Sequence, residues 1–164
     1  MAFKTDFSQA TEFSNVKDGD YEVIVKSAHE DATKGGAEFI NIDFVIRNDI
    51  EQQFKNFHIF HRLWKKKADG KYSFGMIMAL AKNLRMQDGK EYDNLQAFLD
   101  DFVGKVCKVR VANEKSTSAD GSKTYENLNV KQITFSAYPS IQHKWKADDQ
   151  PETPVNVDDY DLPF

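Results

Sequence analysis

The sequence predicts a mainly β domain with a helical insertion after its third strand and an acidic tail, and three observations predict it. Apolar and polar residues alternate over five separate stretches, the two-residue period of strands. Between the third and fourth of these, apolar residues instead recur at helical spacing. Beyond Asp148 the composition shifts to Pro, Asp, Thr and Val, too poor in apolar residues to offset the entropy of ordering.

In chain order, residues 1–18 read as an irregular arm whose isolated Phe3, Phe7 and Phe13 pack on the body. Asp18-Gly19 turns into a first strand over 20–29, with Tyr21, Val23 and Val25 on one face and Glu22, Ile24 and Lys26 on the other. The Gly35-Gly36 pair makes a flexible hairpin connection containing Lys34. A second strand over 38–47 turns Ile40, Ile42, Phe44 and Ile46 inward and Phe39, Asn41, Asp43 and Val45 outward. A third, over 52–63, sets Phe54, Asn56, His58, Phe60 and Arg62 against Lys55, Phe57, Ile59, His61 and Leu63.

Trp64 and the run Lys65-Lys66-Lys67 follow in a turn-forming loop. Ser73 is placed to cap a helix running to about Met86, with Ile77, Met78, Ala81 and Leu84 on one side, and Gly89 follows its stop. A second short helix over 94–103 collects Leu95, Phe98, Leu99 and Phe102 and ends at Gly104. The fourth strand, 105–112, alternates Val106, Lys108 and Arg110 with Cys107, Val109 and Val111. A polar hairpin tip over 114–123 leads to a fifth strand over 125–135. The expected organisation is therefore an arm (1–18), a domain (19–138) and a linker with acidic tail (139–164).

Three strands, a helical segment and two more strands is the order of an OB-fold, a five-stranded Greek-key barrel with helix between strands 3 and 4. Another small α+β arrangement is compatible with the same elements.

The formal net charge of −4 divides unevenly. Residues 148–164 carry six acids and no Lys or Arg, so the 22 basic residues of the chain face 20 acids in a slightly basic body. The tail ends in Asp158-Asp159-Tyr160-Asp161-Leu162-Pro163-Phe164, carboxylates followed by a hydrophobic hook. A basic-rimmed apolar pocket on another protein would hold the Phe164 ring and pair with the carboxylates. The plainer alternative is a solvated charge run.

This ending resembles the acidic tip of bacterial-type single-stranded DNA-binding proteins, where the resemblance implies recruitment of replication and repair proteins. The body, through Tyr21-Glu22-Val23-Ile24-Val25, the Ala32–Glu38 hairpin and the 98–111 stretch, resembles a family of small bacteriophage proteins of the replication and recombination region. The chain departs from bacterial single-stranded DNA-binding proteins in its arm, its two helices and its short tail without a Gly/Gln-rich linker.

Sequence-neutral binding of a single strand requires exposed aromatic faces for bases and cations for phosphates. On an OB-fold these come from strands 2 and 3 and the 1-2 and 4-5 loops. The candidates are Lys34, Phe39, Phe54, His58, Phe60, Arg62, Trp64, Lys65, Lys66, Lys67, Lys108, Arg110, Lys123 and Tyr125. Only one face of strand 3 can point outward. Alternation does not settle whether that face carries Phe57 and His61 or Phe54, His58, Phe60 and Arg62; Ile59 and Leu63 pull the first set in and His58 and Arg62 push the second out, so the second is favoured. Any single Phe in this set also suits a core.

Enzymatic chemistry finds no support in the sequence. His58 and His61 fall on opposite faces of a strand and cannot chelate one metal, and no Gly-Lys pair has the Gly spacing of a phosphate loop. No cofactor, metal site or catalytic residue is expected. One cysteine, Cys107, excludes an internal disulfide, and the absence of a long apolar run or secretory signal points to the cytoplasm. The expected function is sequence-nonspecific single-stranded DNA binding, protecting the strand in phage replication, recombination or repair and recruiting partners through the tail. Monomer and homo-oligomer both remain open. The alternative is a protein-interaction adaptor of the replication machinery that does not bind DNA; a metal-dependent nuclease is a third class, for which the sequence offers no ligand cluster.

Overall fold

The computed structural model describes residues 16–151. Most of the arm, and the tail from residue 152 including Asp158–Phe164, lie outside the described residues.

Five antiparallel strands form one sheet in the order β3-β2-β1-β4-β5: β1 (Gly19–Ala32), β2 (Glu38–Ile46), β3 (His58–Trp64), β4 (Val106–Thr117) and β5 (Thr124–Thr134). Two helices, α1 (Phe74–Asn83) and α2 (Leu95–Asp100), separate β3 from β4. The two edge strands β3 and β5 face one another across a cleft. Among the described residues no helix is long and apolar enough to cross a membrane.

The alternation sorts as the sequence predicts. Tyr21, Val23 and Val25 of β1, Ile40, Ile42, Phe44 and Ile46 of β2, Ile59 and Leu63 of β3, and Cys107, Val109 and Val111 of β4 meet in one core. Ile77, Leu80 and Leu84 from α1 and its C-cap, with Leu99 and Phe102 from the α2 region, close it. In this core, burial pushes the Cys107 thiol well up from its ordinary pKa, holding it protonated and unreactive.

Several boundaries differ from the periodicity. Strands β1 and β4 run past their expected ends at 29 and 112, to Ala32 and Thr117, because residues 30–32 stay paired with β2 and 113–117 with β5, and part of the expected hairpin tip is strand. The third strand starts at His58 rather than residue 52, because Phe54 (φ 60°) and Asn56 (φ 71°) take left-handed backbone conformations that end any extended run. Asn48 Nδ2 donates to Asn56 Oδ1 at 2.9 Å and fixes that turn. Helix α1 stops at Asn83, before Gly89, because Arg85 (φ 57°) occupies the left-handed position of a Schellman cap. Its N–H donates to Lys82 O and that of Met86 to Ala81 O. Helix α2 is shorter than its apolar face; Asn94 caps its start by accepting from the Ala97 N–H at 2.8 Å.

The opposite sheet face carries a smaller cluster of Ile24, Val45 and Val106, against which Trp145 packs. Trp145 arrives on a strap, residues 136–150, that crosses this face. Arg47, 0% exposed, anchors it: the guanidinium donates to Tyr138 O at 2.7 Å, Ser140 O at 3.0 Å and both Asp49 carboxylate oxygens at 2.9 and 2.6 Å. Ser136 donates to Glu22 and the Ala137 N–H reaches the same carboxylate at 3.1 Å. Asn48 completes the attachment, accepting from the Lys144 N–H at 3.0 Å and donating to Lys144 O at 2.7 Å.

Candidate nucleic-acid interface

With Ile59 and Leu63 buried in the core, strand alternation directs His58, Phe60, Arg62 and Trp64 to the outer face of β3. The β2–β3 register sets these opposite Val45, Asp43, Asn41 and Phe39. Phe39 is covered: the Trp64 ring lies 4.6 Å from it, and the Arg62 guanidinium is 5.2 Å above its face. That stack supports Trp64, which stays 45% exposed. Phe60 is 52% exposed, and its ring runs nearly parallel to that of His58 at 5.9 Å and 14°. The outer face of β3 thus presents two accessible aromatic rings with a guanidinium between them.

This stripe forms one wall of a cleft of about 640 Å³ whose other wall is β5 from Glu126 to Lys131, with Glu114 of β4 at its side. Lys131 pairs with Glu114 at 3.0 Å, and Asn129 donates to the same carboxylate at 2.8 Å. The Asn129 hydrogen bond, then that of Lys131, holds the Glu114 carboxyl below its ordinary range. Arg62 and Lys131 are therefore balanced in the cleft by Glu114 and Glu126, and the loop lysines lie outside its lining.

Lys65, Lys66 and Lys67 continue the chain directly from Trp64. Lys65 pairs with Glu38 at 3.0 Å and sits 5.3 Å over the Tyr72 ring, Lys66 lies 3.6 Å from Asp69, and Lys67 is exposed. Lys34 is exposed in the β1–β2 turn. Lys123 and the 48% exposed Tyr125 flank the β4–β5 hairpin. Asp120 accepts from the Ser118 and Ser122 hydroxyls at 2.6 and 2.7 Å, closing that hairpin's turn. Those bonds depress the Asp120 carboxyl far below its usual range.

Three candidates fall elsewhere. Phe54 precedes β3, and its ring packs against Tyr21 at 6.2 Å and Phe57 at 5.4 Å beside the core, so it does not share the stripe's face. Lys108 and Arg110 lie on β4, outside the cleft lining, with Arg110 bonded to Asp20 at 2.9 Å. His61 lies on the face of β3 opposite His58, against Phe44, and still lines the cleft.

The cleft also contains residues that the periodicity did not single out. Asn127, Asn129 and Lys131 of β5 form its far wall, and their polar alternation is the signal that could have found them. At the other end of the stripe, His58 Nδ1 lies 2.7 Å from Asp43 and Nε2 lies 2.9 Å from Asp149. Burial raises the Asp43 carboxyl above its ordinary pKa, against the hydrogen bond to His58. A second, more apolar groove of about 850 Å³ lies between the helices, lined by Phe74, Met78, Tyr92, Leu95 and Phe98 with Lys82 and Lys90 at its edge.

A comparison with curated proteins gives no match. Residues 3–154 match the family described as "Protein of unknown function (DUF669)", and the chain belongs to that family.

Proposed function

We propose that this protein binds single-stranded DNA without sequence preference, through an OB-fold-type β domain, and recruits replication, recombination or repair proteins through its acidic tail. The observation that carries the reading is the outer stripe of β3, where Phe60 and Trp64 expose their rings on either side of Arg62 along a cleft. A soluble domain gains nothing from leaving two large aromatics half exposed in one row, whereas bases stack on such rings irrespective of their identity. The sheet order and the approach of β3 to β5 support the OB-type reading, since that fold binds oligonucleotides on its strands 2 and 3 and adjoining loops. The lysines of 65–67 supply phosphate contacts at the rim.

A gel shift with labelled oligothymidylate tests this reading: micromolar protein retards the oligonucleotide. The adaptor reading is favoured by one observation, the interhelical groove whose Phe74 is 69% exposed and whose Met78 is 46% exposed. An adaptor leaves the oligonucleotide free at the same concentration.

A further inference from the structure

The strap ends where the aromatic stripe ends. Past Trp145 the chain makes a turn in which the Asp149 N–H donates to Lys146 O at 3.0 Å and the Gln150 side chain to the same oxygen at 2.7 Å. This turn aims the Asp149 carboxylate at an imidazole and an ammonium from different strands, His58 Nε2 of β3 at 2.9 Å and Lys26 Nζ of β1 at 3.8 Å. Lys26 lies on the outer face of β1 by alternation from the core residue Val25, and it is the extra residue of a β-bulge, the register shifting between Val25 and Ser27. Asp43 approaches the other nitrogen of the same imidazole at 2.7 Å and holds the ring in orientation.

We propose that Lys26 and His58 form a phosphate subsite at the end of the β3 stripe, occupied in the free protein by the Asp149 carboxylate and vacated to a backbone phosphate when a strand binds. The proposal rests on the single-stranded DNA reading for its ligand. Three observations carry it. An imidazole and an ammonium converging on one anionic group is a general arrangement for a phosphate oxygen, and a carboxylate satisfies it with the same charge-assisted bonds. His58 is also a wall of the cleft and stacks on Phe60, so a base on Phe60 places its adjoining phosphate beside this pair. Asp149 lies beyond the strap's attachments at Arg47, Asn48 and Trp145, so releasing its carboxylate leaves those attachments intact. Arg47 and Asn48 hold the strap; Asp149 only fills the site.

The test titrates full-length wild-type protein, Asp149→Asn, and Asp149→Asn combined with Lys26→Gln against fluorescent oligothymidylate. In parallel, the ¹⁵N signals of the His58 imidazole are followed by NMR as inorganic phosphate is added. Asparagine keeps the shape of the strap and removes the competing charge. The expected result is binding tightened about three- to tenfold in Asp149→Asn, reversed by Lys26→Gln, with phosphate shifting the His58 signals at lower concentration in Asp149→Asn than in wild type. Unchanged or weakened oligonucleotide binding by Asp149→Asn, where wild type binds, overturns the subsite and makes Asp149 a structural clasp. A His58 ring that phosphate leaves unmoved in both proteins overturns it whatever the oligonucleotide does. If no variant binds oligonucleotide while phosphate still shifts His58 in Asp149→Asn, the subsite stands and the single-stranded DNA reading fails.

Discussion

Trp64 and Phe39 are direct cross-strand partners whose rings sit 4.6 Å apart, the one exposed and the other buried beneath it. A cross-strand aromatic pair contributes up to about 1 kcal/mol to a sheet, so Trp64→Ala lowers both stability and affinity, and its effects are mixed. Phe60 separates them. Its ring is half exposed and lies outside the core, so Phe60→Ala leaves stability within about 0.5 kcal/mol of wild type by urea denaturation. On the proposed single-stranded DNA reading, the same substitution is expected to remove a base stack of about 1–3 kcal/mol, which a fluorescence titration reads as a loss of about 5- to 150-fold in oligothymidylate affinity.

Arg47 joins β2 to the strap from a fully buried position. Burial works against the charge on Asp49, yet the hydrogen bond from Arg47 wins and holds that carboxyl below its ordinary range. Replacing Arg47 with Met strands the Asp49 carboxylate and the Tyr138 and Ser140 carbonyls, so the expected cost is about 3–5 kcal/mol in urea denaturation. Trp145 emission shifts to the red as the strap releases.

His61 stands against Phe44 on the face of β3 opposite His58, and burial pushes its imidazole down to about 4 from an ordinary 6.5. Between those values the unfolded chain binds a proton that the folded protein does not. The stability contribution is therefore complete above pH 6.5 and is lost as pH falls toward 4, at up to about 1.4 kcal/mol per pH unit. His61→Leu flattens this part of the pH profile. Subtracting the variant from wild type isolates His61 from His143, whose pKa burial also lowers.

Strand faces were legible in the sequence because every second residue of a one-sided core must be apolar, and Ile40-Ile42-Phe44-Ile46 and Val23-Val25 obey this without exception. The outward orientation of His58, Phe60 and Arg62 was legible for the same reason, once Ile59 and Leu63 are taken as core. Phe54 was not legible, because its apparent place in the alternation is undone by two left-handed residues that no periodicity registers. The strap was legible least of all. Residues 139–150 have the composition of a linker, and what seats them is Arg47, some 90 residues earlier, through carbonyl groups that every residue type possesses. For the same reason the meeting of Asp149 with His58 and Lys26 leaves no trace in local sequence.

Deleting residues 148–164 removes six acids and no base. The truncated protein is expected to bind oligothymidylate as tightly as the full chain or more so, because a tethered acidic segment competes for the same cations at high effective concentration. Pull-down of replication proteins through the tail is expected to disappear. Paired titration and pull-down of the two proteins check both expectations.

The most direct test of the central claim is the affinity of full-length protein for oligothymidylate measured across a range of salt concentrations. With three to five phosphates engaged by Arg62, Lys131 and the rim lysines, the account predicts micromolar or tighter binding whose logarithm falls against log salt with a slope of about −2 to −3.5. An oligonucleotide left free at micromolar protein in low salt, or an affinity indifferent to salt, contradicts it.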